Sequence, residues 1–299
     1  MRNIIHVLLA GDKNYDRFLL ENRNKCLLEF SGKKLLDLTL SAFSSASLVK
    51  ALVVVGPDNL KHFIPSALAH RPVFFLQQRG SLSENVEAAL DFVEERWPDN
   101  HTIFVTNDAP LLTGTELDNF ATITREQNAD VNIAISRIVS SQLSDPLIKQ
   151  YIRSAVIVSD GIYLLGNQIA LSKPSKELLP TIQRFFDMRK QSHFTTEILT
   201  LLYSLRQSNT RKAIYYWIRL IVAKRLWMLA ADSKLSNKIA ISLQKVELGL
   251  GRLLGDNACV RINEVPNALG CFDADTPLQL LELRKTLEDR EQKVEVAHA

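Results

Sequence analysis

The 299-residue sequence predicts an α/β protein, a three-layer and mostly parallel sheet that carries an α-helical insertion. Over about the first 165 residues, two kinds of segment alternate: short continuous apolar runs, and segments whose apolar residues have helical spacing. Strands of that kind are buried on both faces, which is typical of parallel sheets covered by helices. After about residue 166 strand-like segments stop and helical spacing continues almost to residue 254. The later region is therefore interpreted as the insertion.

The predicted elements follow in chain order. Strands are expected at 4–10, 51–56, 73–76, 102–106 and 130–136. Helices are expected at 35–46, 58–69, 83–97 and 115–127, with Asp58 and Ser83 as N-caps. Beyond them we expect helices at 176–189, 194–206, 211–231 and 234–254, a strand at 259–262 and a final helix at 277–290. Right-handed crossovers make such a sheet parallel, and ligands then bind at the carboxyl ends of its strands.

Composition and charge exclude several classes of protein. Hydrophobic residues make up 46% and charged residues 23%, which excludes disorder, collagen and coiled coil as descriptions of the whole chain. Three cysteines without metal-ligand spacing indicate a reducing cytosol, and the apolar start is interpreted as a core strand rather than a signal peptide. The net charge of +3 is too small to indicate nucleic acid. Residues 206–261, however, carry eleven basic and three acidic residues, against 25 and 30 elsewhere.

The loop after the first predicted strand has the composition of a phosphate-binding loop. It begins Leu9-Ala10-Gly11-Asp12-Lys13. A glycine directly after a buried strand lets the backbone approach a ligand, and loop amides hold phosphate oxygens. Lys25 could reach the same phosphates as a point charge. A simple chain turn at Gly11 and a surface position for Lys25 are the alternatives, because neither a P-loop nor a GxGxxG pattern is present.

Two acidic segments are candidate metal ligands. Asp108 follows a predicted strand, where a carboxylate is placed to hold Mg²⁺ beside a nucleotide phosphate. An Asx-turn or a helix N-cap is an equally weighted alternative. Asp273 and Asp275 stand two residues apart, so an extended backbone points both side chains the same way. The alternative is that Asp275 or Thr276 caps a helix that begins with Pro277.

A fourth segment, Gly80-Ser81-Leu82-Ser83-Glu84-Asn85, opens a predicted helix after the third strand. Helix-start amides bind anions, and the Asn85 amide could hydrogen-bond the edge of a base. A capped helix start without a ligand is the alternative.

The segment 213–231 is long and apolar but contains Arg219, Lys224 and Arg225. Three central cations make a membrane-spanning helix costly, by roughly 2.5–3.5 kcal/mol each. We favour a buried bundle helix, and an interfacial membrane helix is the alternative.

Taken together, these segments resemble the nucleotidyltransferase family of the Rossmann-like nucleotide-diphospho-sugar transferase fold, in particular the molybdenum-cofactor guanylyl- and cytidylyltransferases. Four motifs of the family have counterparts here. The motif LAGG-x-G-x-R corresponds to Leu9-Ala10-Gly11, and the lysine with I-x-G-K/R-P-L corresponds to Lys25 with Phe30 to Leu35. The motif G-D/S-x-P-L corresponds to Asn107 to Leu112, and D-[IV]-D-T-P corresponds to Asp273 to Pro277. The correspondence covers residues 1–136 and about 260–290. Asp12 stands where the family has its second glycine.

The resemblance implies a domain organisation. It indicates a nucleotidyltransferase core at 1–166, a basic helical insertion at 167–256, a return to the core at 257–290 with the final metal motif, and a frayed tail at 291–299.

The resemblance also implies an activity: NMP transfer from an NTP to a phosphorylated acceptor, with release of pyrophosphate and dependence on Mg²⁺ or Mn²⁺. Lys25 and Asp108 would be catalytic, and Asp108, Asp273 and Asp275 would hold the metal. The nucleotide would contact Leu9, Ala10, Gly11, Asp12, Lys13, Lys25, Gly80, Ser81, Asn85 and Asn107. The acceptor is expected to be a small molecule or lipid-linked, and the protein cytoplasmic, with the inner membrane surface as an alternative location contacted through the basic insertion.

Two other function classes stay open at this point. A nucleotide-sugar glycosyltransferase of a related fold needs Asp-x-Asp after the fourth strand, where this chain has Asn107-Asp108-Ala109. A non-catalytic nucleotide-binding or scaffold module is compatible with Asp12 in the loop. The placement of the Asp-x-Asp near the chain end favours nucleotidyl transfer.

Overall fold

The computed structural model describes residues 4–11, 24–30, 32–127, 129–171, 179, 211–229, 234–254, 258–266, 268–274 and 276–298. Numbered in chain order, the strands β1 to β11 are Ile4–Leu9, Glu29–Phe30, Lys33–Lys34, Ala51–Gly56, Ala67–Leu68, Arg71–Gln77, His101–Thr106, Val131–Ile138, Val156–Val158, Gly161–Leu171 and Val260–Glu264. The α-helices α1 to α8 are Leu35–Ser45, Leu82–Arg96, Gly114–Glu126, Pro146–Tyr151, Arg211–Leu229, Lys234–Ile239, Leu243–Leu254 and Pro277–His298.

One large sheet organises these elements. Its strand order is β11-β8-β10-β7-β1-β4-β6-β5, and β9 pairs with β10 outside that path. The pairs β1–β4, β1–β7, β4–β6 and β8–β11 are parallel. Strand β10 runs antiparallel to both β7 and β8, so β7 and β8 point the same way. The sheet is therefore mostly parallel, which confirms the predicted fold class.

Helices cover both faces of the sheet. On one face, α1 and α3 pack Leu36, Phe43 and Phe120 against the inner strands. On the other face, α2 contributes Leu90 and Val93, joined by apolar side chains of α7. Every residue of β4 is buried, as expected for a strand whose two faces are both shielded from water. The three-layer arrangement follows from this two-sided burial.

The predicted helix at 58–69 is wrong. The chain forms a 3₁₀ helix over Asp58–Phe63 and then the short strand β5, which pairs antiparallel with β6. The physical reason is Pro65, which lacks an N–H and disfavours helical backbone at the residue before it. The N-cap positions are also corrected: Pro57 holds that position for the 3₁₀ helix, and Ser81, not Ser83, caps α2.

Strand β10 was not predicted. It begins at Gly161 and continues past residue 166 to Leu171. Its register shifts between Leu165 and Ile169, where a glycine and two amides interrupt the apolar pattern. A Cβ added at Gly166 would lie 2.8 Å from the Ala134 Cβ, so the glycine permits the close approach of β8.

The later helices differ from expectation in their boundaries. The predicted helix at 234–254 is two helices, α6 and α7, which residues 240–242 separate. Helix α8 runs to His298, beyond the predicted end at 290 and through the tail expected to fray. The helices predicted at 176–189 and 194–206 lie outside the described residues. Strand β11 bears out the short strand expected near 259–262.

Helix α5 contains the cations that make a membrane-spanning helix costly, and one of them, Arg219, donates hydrogen bonds to backbone carbonyls. The Arg219 guanidinium donates from Nε to the Ile239 carbonyl at 2.7 Å and from Nη2 to the Lys238 and Ala240 carbonyls at 3.1 and 3.3 Å. These carbonyls end α6, where a cation satisfies acceptors that have no intrahelical donor. Among the described residues, no helix combines the length and hydropathy that crossing a membrane requires.

Candidate active site

Backbone hydrogen bonds continue past the last sheet residues and align the carboxyl ends of the central strands. The Ala10 N–H donates to the Val55 carbonyl at 2.8 Å, and the Asn107 N–H donates to the Leu9 carbonyl at 3.2 Å. Leu9, Ala10 and Asn107, three of the predicted nucleotide-binding residues, therefore lie at one edge. Gly11 also lies there, because a Cβ added to it would stand 3.2 Å from Gln78 Oε1 in the segment after β6. Asp12 and Lys13 fall outside the described residues.

Lys25 and Asp108 form an ion pair at this edge. The Lys25 Nζ lies 3.5 Å from Asp108 Oδ2, and the Asp108 side chain keeps 24% of its surface exposed. Thr106, at the end of β7, donates from its hydroxyl to Asp108 Oδ1 at 2.5 Å. The two predicted catalytic residues, 83 positions apart in the chain, are thus in contact. The exposed part of the carboxylate leaves it accessible to a ligand.

Local hydrogen bonds hold Lys25 in place. It begins a 3₁₀ helix, Lys25–Leu27, whose N-cap Asn24 accepts from the Cys26 N–H at 2.8 Å. The Cys26 thiol then donates to the Ala10 carbonyl at 3.3 Å. Lys25 itself is 9% exposed. Its stem is buried and its backbone is tied to the end of β1. The ammonium group is therefore positioned beside Asp108 and would lose little conformational entropy on binding a ligand.

A loop from the end of the chain completes the site. The Ala274 N–H donates to the Asp108 carbonyl at 2.9 Å. The Tyr151 hydroxyl donates to the Asp273 carbonyl at 2.5 Å, and its ring packs on Phe272 with centroids 4.9 Å apart. These contacts tie the backbone of the loop that carries Asp273 to Asp108, and a shared metal site of the two aspartates stays a prediction. Asp275 lies outside the described residues.

The same loop is anchored one turn earlier at Gly270. The buried Glu116 carboxylate accepts from the Gly270 N–H at 2.8 Å, and Asn167 donates to the Gly270 carbonyl at 3.0 Å. A Cβ at Gly270 would lie 2.7 Å from a Leu112 methyl group, so a larger residue here would require the Leu112 side chain to shift. Glu116, Tyr151 and Asn167 were not predicted to matter. Only Glu116 carried a signal, since it stands three residues after Thr113 as in a capping box.

Asn107 has an unusual environment. It is 5% exposed, and among the described residues neither its amide nitrogen nor its amide oxygen has a hydrogen-bond partner. An unsatisfied buried polar group costs about 1–3 kcal/mol, so such groups gather at sites where a ligand or water satisfies them. Its place beside Asp108 agrees with a contact to a bound molecule.

The start of α2 carries the other predicted nucleotide contacts. Ser81 accepts from the Glu84 N–H at 3.2 Å and donates its own N–H to the Glu84 carboxylate at 2.6 Å. The bond from the Ser81 N–H to the Glu84 carboxylate, with a further one from the Ser81 side chain, holds the pKa of Glu84 below its usual range. The Asn85 amide is bonded to the Arg79 backbone, accepting at 2.5 Å and donating at 3.4 Å. The structure thus forms the capped helix start, with Gly80 directly before it, and base recognition by Asn85 stays a prediction.

Burial decides the protonation state of the Cys271 thiol. Burial raises the pKa of its thiol to about 12, and the carboxylates of Glu116 and Asp273 add to the effect. The thiol is therefore protonated at neutral pH and is excluded as a nucleophile. The described ranges contain no group of three or more His, Cys, Asp or Glu residues placed to hold a metal ion. The segments that carry Asp108 and Asp273 are joined here through the backbone, by the bond from the Ala274 N–H to the Asp108 carbonyl.

Comparison with known proteins adds a family and a fold. The family model for the MobA-like NTP transferase domain matches residues 6–184. A hypothetical transferase from Thermus thermophilus shares 20% identity over 94% of this chain and 100% of its own, with a TM-score of 0.59. A CMP:2-keto-3-deoxy-manno-octonic acid synthetase complexed with CTP shares 12% identity over 97% of this chain and 100% of its own, with a TM-score of 0.53. No curated protein matches the sequence.

Proposed function

The chain belongs to the MobA-like NTP transferase family, and from that premise we propose that it transfers NMP from an NTP to a phosphorylated acceptor. The observation that carries the proposal is the contact of Lys25 with Asp108 at the carboxyl edge of the sheet, with the Asp273 loop tied to the same aspartate. Ligands of open α/β sheets bind at this edge, and the family match spans the strands that form it.

The proposed reaction is a displacement at the α-phosphorus. An oxygen of the acceptor phosphate forms a bond to that phosphorus, and the bond to the bridging oxygen breaks, so pyrophosphate leaves with the electron pair. A phosphate nucleophile is already anionic near neutral pH, so the step needs no general base. Positioning and charge neutralisation then account for catalysis.

This chain's own residues can supply that positioning. The backbone at Ala10 and Gly11 would contact the phosphates, because the glycine leaves room beside Gln78. Lys25, held by its buried stem, would offset charge that develops around the α-phosphate. The unpartnered amide of Asn107 would bond to the bound nucleotide or acceptor.

The donor set also fits a divalent cation. Mg²⁺ prefers carboxylate oxygens and commonly takes only one or two from the protein, with substrate phosphates and waters completing its coordination. Asp108 is partly exposed, and the residue after Asp273 is hydrogen-bonded to the Asp108 carbonyl, so we propose these two aspartates as ligands, with Asp275 as the further candidate. Bound there, the cation would neutralise phosphate charge. The acceptor is proposed to be a phosphorylated small molecule or a phosphorylated lipid-linked compound.

The test begins with nucleotide binding. Wild type, Asp108→Ala and the control Asp289→Ala are compared in a thermal-shift screen with ATP, GTP, CTP and UTP, with and without Mg²⁺. Asp289 is an exposed aspartate on α8 and is expected to behave as wild type. A Mg²⁺-dependent shift for one nucleotide, lost only in Asp108→Ala, supports the site and identifies the base.

Pyrophosphate release with a panel of phosphorylated acceptors tests turnover. Losing a group of this kind costs about 2.7–4 kcal/mol, so Asp108→Ala should lower turnover about a hundredfold or more. A loss smaller than about tenfold contradicts the role of Asp108. Nucleotide binding without pyrophosphate release would favour a non-catalytic module, and hydrolysis of a sugar nucleotide would favour a glycosyltransferase.

A further inference from the structure

Helix α5 exposes an apolar face that no other described segment of the chain covers. Tyr215, Ile218, Val222 and Leu229 are 55%, 49%, 38% and 84% exposed. At about 100° per residue their positions fall within a sector of about 60°, so they form one stripe along the helix. We call these four residues the apolar face of α5. Single exposed apolar residues are ordinary on a protein surface, but four on one stripe mark a contact surface.

The opposite side of α5 already has its partner. Ala213, Ile214 and Ala223 are buried, and Leu220 packs with the cluster around Tyr163. The helix is therefore apolar on two sides, one of which faces the protein. A helix with this distribution buries its second side against another phase or another molecule.

The charges around the apolar face indicate what that phase is. Lys212 and Arg225 are exposed and fall on either side of the stripe. The described helices α5, α6 and α7 contain nine lysine and arginine residues and a single acid, Glu247. A second copy of this surface would set cations against cations, which disfavours self-association. An anionic surface with an apolar interior complements both the stripe and its flanks.

We propose that the apolar face of α5 is a membrane-contact surface, which lies in the headgroup layer of an anionic bilayer with the helix parallel to the membrane plane. Tyr215 suits this position, because an aromatic ring with a hydroxyl group is stable where apolar and aqueous phases meet. The inference does not depend on the proposed reaction.

The fold connects this surface to the candidate active site. The helices dock on the β9–β10 hairpin, where the Ser159 N–H donates to the Ile241 carbonyl at 3.0 Å and Asp160 accepts from the Leu243 N–H at 2.8 Å. The hairpin pairs with the carboxyl end of β8, which is the edge of the sheet that carries Asp108. Membrane contact through α5 would therefore hold that edge at a fixed distance from the bilayer.

The test is cosedimentation of the full chain with vesicles. We expect binding to vesicles of equal parts phosphatidylcholine and phosphatidylglycerol at 50 mM NaCl, weaker binding at 500 mM NaCl, and at least about tenfold weaker binding to phosphatidylcholine alone. The double variant Ile218→Gln/Val222→Gln should weaken binding by about tenfold or more, since two aliphatic side chains leave the interface. The matched control is Leu278→Gln/Leu281→Gln on α8, where both leucines are 62% exposed, and it should bind as wild type.

A charge pair completes the design. Lys212→Glu should weaken binding to the anionic vesicles by at least about fivefold, whereas Lys285→Glu on α8 should not change it. No binding at 50 mM NaCl overturns the proposal, as does equal binding to phosphatidylcholine alone or an unchanged affinity of the Ile218/Val222 variant. A wild-type dimer in light scattering that the same variant dissociates would assign the surface to a second copy of the chain and would equally overturn it.

Discussion

A buried histidine in β1 should make this protein lose stability in mild acid. His6 is fully buried, and neither ring nitrogen has a hydrogen-bond partner in the part of the chain that the structure describes. Its ring packs edge-on against Phe43, with centroids 5.6 Å apart. Burial lowers the pKa of His6 from 6.5 to about 3; the negative charge of Asp118 opposes that effect, and Arg71 adds to it. The imidazole is therefore neutral in the folded protein at every pH of ordinary use.

The magnitude follows from proton linkage. Below pH 6.5 the unfolded chain binds a proton at His6 that the folded chain does not bind, so the free energy of unfolding falls as pH falls. Each pH unit in this window is worth 1.36 kcal/mol per group, which amounts to about 2 kcal/mol between pH 8 and pH 5. The loss is substantial because a domain is stable by only about 5–15 kcal/mol. The pKa of Asp118 is also lowered, despite its partial burial, by hydrogen bonds from Ser47 and Leu48, but its contribution is lost only at lower pH.

Urea denaturation at pH 8 and pH 5 measures the effect. We expect wild type to lose about 2 kcal/mol more than His6→Leu over this interval, because leucine binds no proton in either state. His62→Gln is the control: His62 is exposed, so its replacement should preserve the wild-type pH dependence. An equal loss in wild type and His6→Leu would refute the assignment of the effect to His6.

Three further predictions concern contacts that the structure revealed. Tyr151→Phe removes the hydrogen bond to the Asp273 carbonyl and should lower the free energy of unfolding by about 0.5–1.5 kcal/mol in urea titrations; an unchanged value would contradict that bond. Arg219→Met should cost about 1.5–3 kcal/mol in the same assay, because the carbonyls that end α6 lose a charged donor. Cys271→Ser should leave the initial rate of thiol labelling at pH 8 unchanged, since a pKa of about 12 leaves about one thiol in ten thousand ionised; a slower rate would show that Cys271 is reactive.

Much of the fold was readable from local patterns. Strands β1, β4 and β7 are short apolar runs, and α1 and α3 carry regular helical spacing, so each appears close to its predicted range. The predictions failed where a few residues opposed the pattern of the surrounding segment. Pro65 ended helical backbone in the segment after β4, and the amides of β10 obscured a strand that its neighbours bury on both sides.

The candidate site divides in the same way. Asp108 and Lys25 were identifiable because one follows a buried strand and the other belongs to a family motif. Their contact at 3.5 Å was not, since it joins positions 83 apart. Residue Asp273 was visible as part of an Asp-x-Asp, but nothing in the sequence indicated that Tyr151 would hold it.

By itself the sequence determined the fold class, the order of the central elements and the family, because hydrophobic periodicity and short motifs act over a few neighbouring residues. Only the tertiary structure decided which strands pair, that Glu116 and Asn167 bind the final loop at Gly270, and that Arg219 donates to the carbonyls at the end of α6. These contacts join residues far apart in the chain. Their geometry depends on how whole layers pack, and a local sequence pattern does not show which distant residues that packing brings together.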